Sequence, residues 1–111
     1  MNKIKNIPHE TVLTLSEQIA VPPGQVASMT LVQNKAVSIT LFAFDQGEEI
    51  SAHTAPGDAM VTVLEGTGRF TGTPHICRAG QTIVMPEGKP HAVYAEEAFK
   101  MLLTVVFSDN A

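Results

Sequence analysis

The chain has 111 residues, of which 44 % are hydrophobic and 16 % charged, and its formal net charge at pH 7 is −4. This composition is typical of one globular domain with a core of its own, and it argues against a disordered chain. The acidic balance and the absence of a basic run argue against nucleic acid and anionic membranes as partners.

Three features of the sequence bear on location. The start, MNKIKNIPHETVL, lacks an apolar core, so we expect no signal peptide. No apolar stretch reaches the roughly 18 residues that a membrane span needs. Cys77 is the single cysteine, so no internal disulfide can form, which is typical of a reducing compartment. We therefore expect a cytoplasmic protein.

Short strands dominate the predicted structure. In chain order, the segments rich in β-branched and aromatic residues are ASMTLVQ, VSITLFAF, MVTVLEG, GRFTG, QTIVM and MLLTVVF. The turn sequences between them are PPG, DQGEE, APGD, GTG, TGTP and PEGKP. This spacing predicts a single all-β domain, a sandwich or a barrel, over residues 1–111. We expect the core barrel at about 28–108 and an N-terminal extension, 1–27, that packs on the barrel or on a dimer partner.

One segment admits two interpretations. YAEEAFKMLL contains good helix formers, and Tyr94 and Leu102 would share a helical face. FKMLLTVVF also alternates, which places every second residue from Phe99 to Phe107 on one side of a strand. We favour a turn at residues 96–97 followed by a strand.

The strand that follows residues 56–57 has apolar side chains on both of its faces. Counting in steps of two from His53 places four residues inward: Ala55, Ala59, Val61 and Val63. Met60 and Leu64 then point outward. Because an outward apolar face needs cover, we expect a homodimer that packs sheet on sheet.

Two stretches place a histidine beside a proline–glycine turn. EEISAHTAPGDAMVTVLEG contains His53 before the turn, and GQTIVMPEGKPHAVYA contains His91 after it. We interpret each stretch as a hairpin, and His53 and His91 meet if the two hairpins pair across a barrel. The residues that set the spacing are Gly47, Gly66, Gly80, Pro86 and Gly88.

These two stretches resemble the two sequence motifs of the cupin superfamily, and the chain looks most like its small single-domain "conserved barrel" members. The resemblance implies a small antiparallel jelly-roll barrel, also called a double-stranded β-helix. In metal-binding cupins the motif positions supply three histidines and one glutamate to Fe, Mn, Ni, Cu or Zn. This chain has His53 and His91 at two of these positions, but Ala55 and Ala59 at the other two.

Other side chains are candidates for the missing ligands or for the pocket wall. Asp58 is adjacent to Ala59, but by alternation it points to the other face, where it would satisfy the turn backbone. His75 shares a face with Cys77, which we expect to be a small buried hydrophobic residue. The remaining candidates are Tyr94, through its hydroxyl, and the soft sulfur donors Met60, Met85 and Met101, whose ordinary role is to fill a core.

Two functions are consistent with these residues. The first is a barrel that binds a small molecule without metal chemistry, because two alanines widen the pocket. The second is a metal-dependent enzyme, dioxygenase-like or isomerase-like, whose single divalent metal is held by His53, His91 and a third group. We favour the first. A third alternative is a barrel whose role lies in its dimer surface.

Overall fold

The computed structural model describes residues 3–70 and 75–108. In this part of the chain it has one short 3-10 helix, Leu15–Glu17, and no helix long and apolar enough to cross a membrane. The strands are β1 (Val26–Gln33), β2 (Val37–Phe44), β3 (Glu49–His53), β4 (Gly57–Glu65), β5 (Thr67–Phe70), β6 (His75–Arg78), β7 (Thr82–Met85), β8 (His91–Ala95) and β9 (Phe99–Phe107).

The strands form two antiparallel sheets whose inner faces enclose the core. One sheet has the order β1-β2-β9-β4-β7 and the other the order β3-β8-β5-β6. Successive strands often lie in different sheets, as in a jelly roll. The predicted all-β, antiparallel jelly-roll architecture is therefore confirmed. The predicted TGTP turn, and the end of the GRFTG strand, fall on residues 71–74 and lie outside the described residues.

The ambiguous segment is a strand and not a helix. β8 ends at Ala95, a bend covers residues 96–98, and β9 begins at Phe99. Alternate residues from Phe99 to Phe107 pack in the core, as the period of two predicts. The preference for a turn followed by a strand is thus confirmed.

Neither histidine stretch is a hairpin, so that prediction is wrong. β3 and β4 lie in different sheets, and so do β7 and β8. The loops 54–56 and 86–90 cross from one sheet to the other, and the pairing joins β3 with β8 and β4 with β7. The prolines in these loops lack the N–H group that a hairpin ladder would need beside the turn.

Aromatic side chains close one end of the barrel. Phe44, Phe70 and Phe99 are almost completely buried. The rings of Phe44 and Phe99 stack at 4.7 Å, and Phe70 meets Phe99 edge-on at 6.4 Å. Burying each ring stabilises the fold by about 1.5–3 kcal/mol. Gly68 lies against this group, because a Cβ added there would be 2.7 Å from the Phe99 ring. Any space between the sheets must therefore lie toward the opposite end.

The N-terminal segment covers part of the outer face of the five-stranded sheet. Lys100 Nζ donates to the Ser16 carbonyl at 2.6 Å, which fixes the short helix on β9. The outer-face residues covered in this way include Leu64 and Leu102, and the covering residues are Ile7, Leu15 and Ile19. The cover that the sequence predicts for this face thus comes in part from the same chain. Farther along, Met60, Val84 and Val106 stay exposed.

Candidate functional site

His53 and His91 lie opposite each other on neighbouring strands, β3 and β8. Their ring centroids are 4.9 Å apart and their planes are inclined by 62°. His91 is buried, with 5 % of its surface exposed, whereas His53 is exposed. The structure therefore brings together the two histidines that the sequence singles out, with one ring in the barrel wall and the other at its rim.

Backbone carbonyls fix the tautomer of both rings. His53 Nδ1 lies 3.0 Å from the Ser51 carbonyl oxygen, and His91 Nδ1 lies 3.1 Å from the Lys89 carbonyl oxygen. Because a carbonyl can only accept a hydrogen bond, each Nδ1 carries the proton and donates it. In the neutral rings the lone pair is then on Nε2. The pair thus presents two Nε2 acceptors.

The surroundings of His91 keep its ring neutral. Burial lowers the pKa of His91 below its ordinary value, because a charged ring would lose its hydration. The bond to the Lys89 carbonyl opposes this shift, and the nearby His53 adds to it. At physiological pH the pKa of His91 therefore favours the form that accepts at Nε2.

The two alanines of the motif positions lie at the same end of the barrel as the histidines. Loops 54–56 and 86–90 both run at this end, because they follow or precede the histidine strands. Ala59 faces the core with 1 % of its surface exposed, and it pairs with Met85 on β7. Ala55 is half-buried, and its carbonyl accepts a hydrogen bond from Gly88 N at 3.3 Å. Neither alanine side chain offers a polar atom.

Asp58 and Met60 do not face the interior. Both alternate with core residues of β4, so their side chains are on the outer face of the sheet. Asp58 Oδ1 accepts a hydrogen bond of 2.9 Å from Glu87 N and so holds the turn that precedes His91. The candidacy of Asp58 and Met60 as interior ligands is therefore wrong in this register, and the turn-stabilising role of Asp58 is the one seen.

Tyr94 is also placed outside, contrary to its candidacy for the pocket. On β8 the inward residues are His91, Val93 and Ala95, so Tyr94 points to the other face. The Arg69 guanidinium lies 4.8 Å from the centroid of its ring and pairs with Glu96 at 2.8 Å. The tyrosine is thus part of a cation–π contact on the outer surface.

Of the remaining candidates, Met85 and Met101 are buried core residues, and His75 is separated from the histidine pair. His75 pairs with Phe70 on β5, so β5 lies between it and β8. Cys77 is buried, and burial raises the pKa of its thiol. Across residues 3–70 and 75–108 no three His, Cys, Asp or Glu side chains lie close enough together to hold a metal ion.

The comparison of this chain with known families decides its classification. The sequence profile of the cupin domain matches residues 40–107. The chain belongs to the cupin family. The glycines that this cupin shares with the motifs support the same conclusion, because Gly47, Gly66, Gly80 and Gly88 all have positive φ angles, which L side chains rarely adopt.

Two solved structures of other proteins are similar to almost the whole chain. A conserved protein of unknown function from Streptococcus pyogenes is 48 % identical, with 98 % of this chain and 97 % of that chain covered and a TM-score of 0.95. A cupin superfamily protein from Desulfitobacterium hafniense is 31 % identical, with 96 % and 100 % covered and a TM-score of 0.92. A comparison of the sequence with curated proteins found no significant match.

A metal ion of the kind that many cupins bind fits these residues only in part. The Nε2 atoms of His53 and His91 have the tautomer that metal ligation requires. Protein sites for transition metals ordinarily use three or four ligands, however, and the described chain brings together two. The protein-derived ligand set is therefore incomplete.

Two features of the site are not evident from the motifs. The carbonyls of Ser51 and Lys89 orient the rings, and no residue type signals that role because every residue has a carbonyl. The other feature is a set of hydroxyls at Thr30, Ser38 and Thr40 on the inner face of β1 and β2. Its signal is the alternation of Ser and Thr with apolar residues in VSITLFAF.

Proposed function

We propose that this cupin binds a small molecule at the end of its barrel opposite the buried phenylalanines, with His53 and His91 as recognition groups. The observation that carries the proposal is the paired histidine geometry, in which both Nδ1 protons are held by carbonyls. The two Nε2 atoms then accept hydrogen bonds from O–H or N–H groups of the ligand. Partial burial strengthens such bonds, because water competes less for the acceptors.

The alanines favour a pocket for a small molecule over a complete set of metal-coordinating side chains. Ala55 and Ala59 place methyl groups at the positions where other cupins have a histidine and a glutamate. A ligand at this end of the barrel would therefore meet an apolar lining at these two positions. Ligand pockets generally combine such apolar walls with a few convergent polar groups.

A second candidate function is a metal-dependent cupin enzyme, dioxygenase-like or isomerase-like, that acts on a small organic substrate. It is favoured by the bond from each Nδ1 to a carbonyl, because metal-ligating histidines are held in this way. His53 and His91 would hold the metal, and the metal when bound would supply Lewis-acid chemistry. The chain's own residues would orient the two rings and keep the Nε2 lone pairs available.

Elemental analysis combined with thermal shift tests both candidates. Protein purified without chelator is analysed before and after it is offered Fe, Mn, Ni, Cu or Zn, and is then screened against neutral, anionic and apolar metabolites. A ligand at a hundredfold of its Kd stabilises the fold by about 2.7 kcal/mol. We expect a metal-independent melting shift that is lost in His53→Ala/His91→Ala and retained in His9→Ala, the matched change at an exposed terminal histidine.

Each result has a definite meaning. A stoichiometric metal that disappears in the double variant would replace the binding barrel with the metalloenzyme. No shift with any compound and no bound metal would refute both functions.

We also propose that a second copy of the chain covers the exposed apolar patch formed by Met60, Val84 and Val106. Met60 lies directly opposite Val84, and Val106 is on the adjacent strand, so the three side chains share one outer surface. Light scattering is expected to give a dimer that Val84→Asp converts to a monomer. Val12→Asp, at a fully exposed position, is the control that should leave the mass unchanged.

A further inference from the structure

Hydroxyl side chains line the inner face of β1 and β2. Thr30 on β1 is directly opposite Thr40 on β2, and Ser38 lies two residues before Thr40 on the same face of β2. The register fixes this face, because Thr40 is opposite Leu103 and Ser38 is opposite Val105, and both of these side chains pack in the core cluster. Opposed residues on one face are about 4.5–5.5 Å apart at Cβ. The two threonine hydroxyls are therefore close enough to contact one small molecule.

These hydroxyls lack protein partners in the described part of the chain. Ser38 is 9 % exposed and the threonines are half-buried, yet none of the three side-chain oxygens makes a hydrogen bond to any residue of 3–70 or 75–108. Within the same ranges no completely buried side-chain oxygen or nitrogen is without a partner. The hydroxyls therefore reach open space, where water or a ligand must satisfy them.

The hydroxyls and the histidines are at the same end of the barrel and on opposed sheets. The β1–β2 loop and the β3–β4 loop both bind the end of β9: Phe107 N donates to the Ala36 carbonyl, and Ser108 N donates to the Pro56 carbonyl. The turn 45–48 leads from β2, which is next to the edge strand β1, to β3 at the edge of the other sheet. The strand that carries His53 thus faces the strands that carry the hydroxyls.

The described inner faces carry no formal charge. Every charged residue within the strands alternates with core residues and lies on an outer face: Glu49, Asp58, Glu65, Arg69, Arg78 and Lys100. A carboxylate or phosphate placed between the sheets would lose its hydration without gaining an opposite charge, and that loss is unfavourable by several kcal/mol. An uncharged ligand with many hydrogen-bonding groups has no such penalty.

We infer that the ligand of this barrel is a neutral, hydroxyl-rich small molecule of the polyol or uncharged sugar class. It lies between the Nε2 acceptors of His53 and His91 on one wall and the hydroxyls of Thr30 and Thr40 on the other. The ligand O–H groups donate to the imidazoles and exchange hydrogen bonds with the threonines. This assignment rests on the binding function proposed above and adds the class of ligand.

Calorimetric titration with matched neutral and anionic probes tests the assignment. The neutral probes are D-glucose and myo-inositol, and the anionic ones are D-gluconate and D-glucose 6-phosphate. We expect the neutral probes to bind and the anionic ones to bind at least tenfold more weakly. Thr30→Val/Thr40→Val removes two hydroxyls and should weaken binding about tenfold. Thr62→Val removes an outer-face hydroxyl of the same sheet, which is hydrogen-bonded to the Thr82 hydroxyl, and should change affinity less than about twofold.

The outcomes separate this assignment from the function on which it rests. Tighter binding of gluconate or the sugar phosphate, lost in His53→Ala, would overturn the neutral class and leave the binding function in place. Unchanged affinity of the neutral probes in the double threonine variant would overturn the role of the hydroxyls. If no probe binds while another class of metabolite shifts the melting temperature, the assignment fails alone. If nothing binds at all, both fail.

Discussion

Restoring a carboxylate at position 59 tests whether β4 faces the histidine pair. Ala59→Glu places a carboxylate on the inner face, at the end of the barrel that holds His53 and His91. If the side chain reaches the two Nε2 atoms, the variant gains a third and anionic ligand. We therefore expect it to bind Mn, Ni or Zn more tightly than the native chain does.

The expected energies follow from the burial of Ala59, of which 1 % is exposed. Forcing a longer side chain into this position costs about 1–3 kcal/mol in packing. Leaving the carboxylate without a partner adds about 1–3 kcal/mol. The two costs together are about 2–6 kcal/mol, and for a domain of this size each kcal/mol is about 4 °C in melting temperature, so the metal-free variant should melt about 8–24 °C lower. Metal at a hundredfold of its Kd should raise the unfolding free energy of the variant by about 2.7 kcal/mol, which corresponds to about 10 °C in melting temperature.

Differential scanning calorimetry with and without chelator measures both effects. Ala59→Gln is the matched control, because it has the same shape and packing cost but lacks the anionic donor. The glutamate variant should recover stability with metal and bind it stoichiometrically, whereas the glutamine variant should not. An equal response of the two variants to metal would refute the placement of residue 59 beside the histidines.

Three further predictions concern stability and the turn before His91. Folding lowers the pKa of His91, so just below its ordinary value of about 6.5 the unfolded chain binds more protons than the folded chain. The unfolding free energy of chelator-treated protein should therefore fall as the pH drops through that window. His91→Gln should remove this dependence. Gly68→Ala should lower the unfolding free energy by about 1–3 kcal/mol in urea, because its Cβ would meet the Phe99 ring. Asp58→Ala should lower the unfolding free energy by about 1 kcal/mol and weaken ligand binding, because the Glu87 N–H loses its acceptor. Asp58→Asn is the control, because it keeps an acceptor oxygen for the same N–H.

Each of these three predictions would be contradicted by one result. A pH profile unchanged in His91→Gln would assign the dependence to other groups. An unaltered urea midpoint in Gly68→Ala would mean that the ring moves freely. Equal ligand affinity in Asp58→Ala and Asp58→Asn would show that the turn needs no fixing.

The strands and their faces could be predicted because a buried face repeats at a fixed period. Ala59, Val61 and Val63 follow that period and face the core, and the same counting resolves the helix–strand ambiguity before Phe99 in favour of a strand. The same rule turns Tyr94 outward, since it is three residues from His91 and an odd number reverses the face, so the candidacy of Tyr94 for the pocket is inconsistent with it.

Strand pairing and ring orientation could not be predicted in this way. Which strand pairs with which is a long-range choice, and the assumption that neighbours in sequence form hairpins fails where loops 54–56 and 86–90 cross between sheets. The tautomers of His53 and His91 depend on carbonyl positions set by that pairing. Residue spacing identifies the two histidines, but only the folded backbone determines which nitrogen each one offers.

The N-terminal segment limits which backbone groups of β1 other molecules can reach. β1 is an edge strand, and edge strands readily join with strands of other molecules. Here Lys5 N donates to the Leu31 carbonyl at 2.9 Å, and the Asn6 amide donates to the Thr30 carbonyl at 2.6 Å. Those acceptors are thereby withheld from a neighbouring chain. Residues 5–6 thus occupy part of the edge of β1, and their removal would leave these carbonyls open to strands of other molecules.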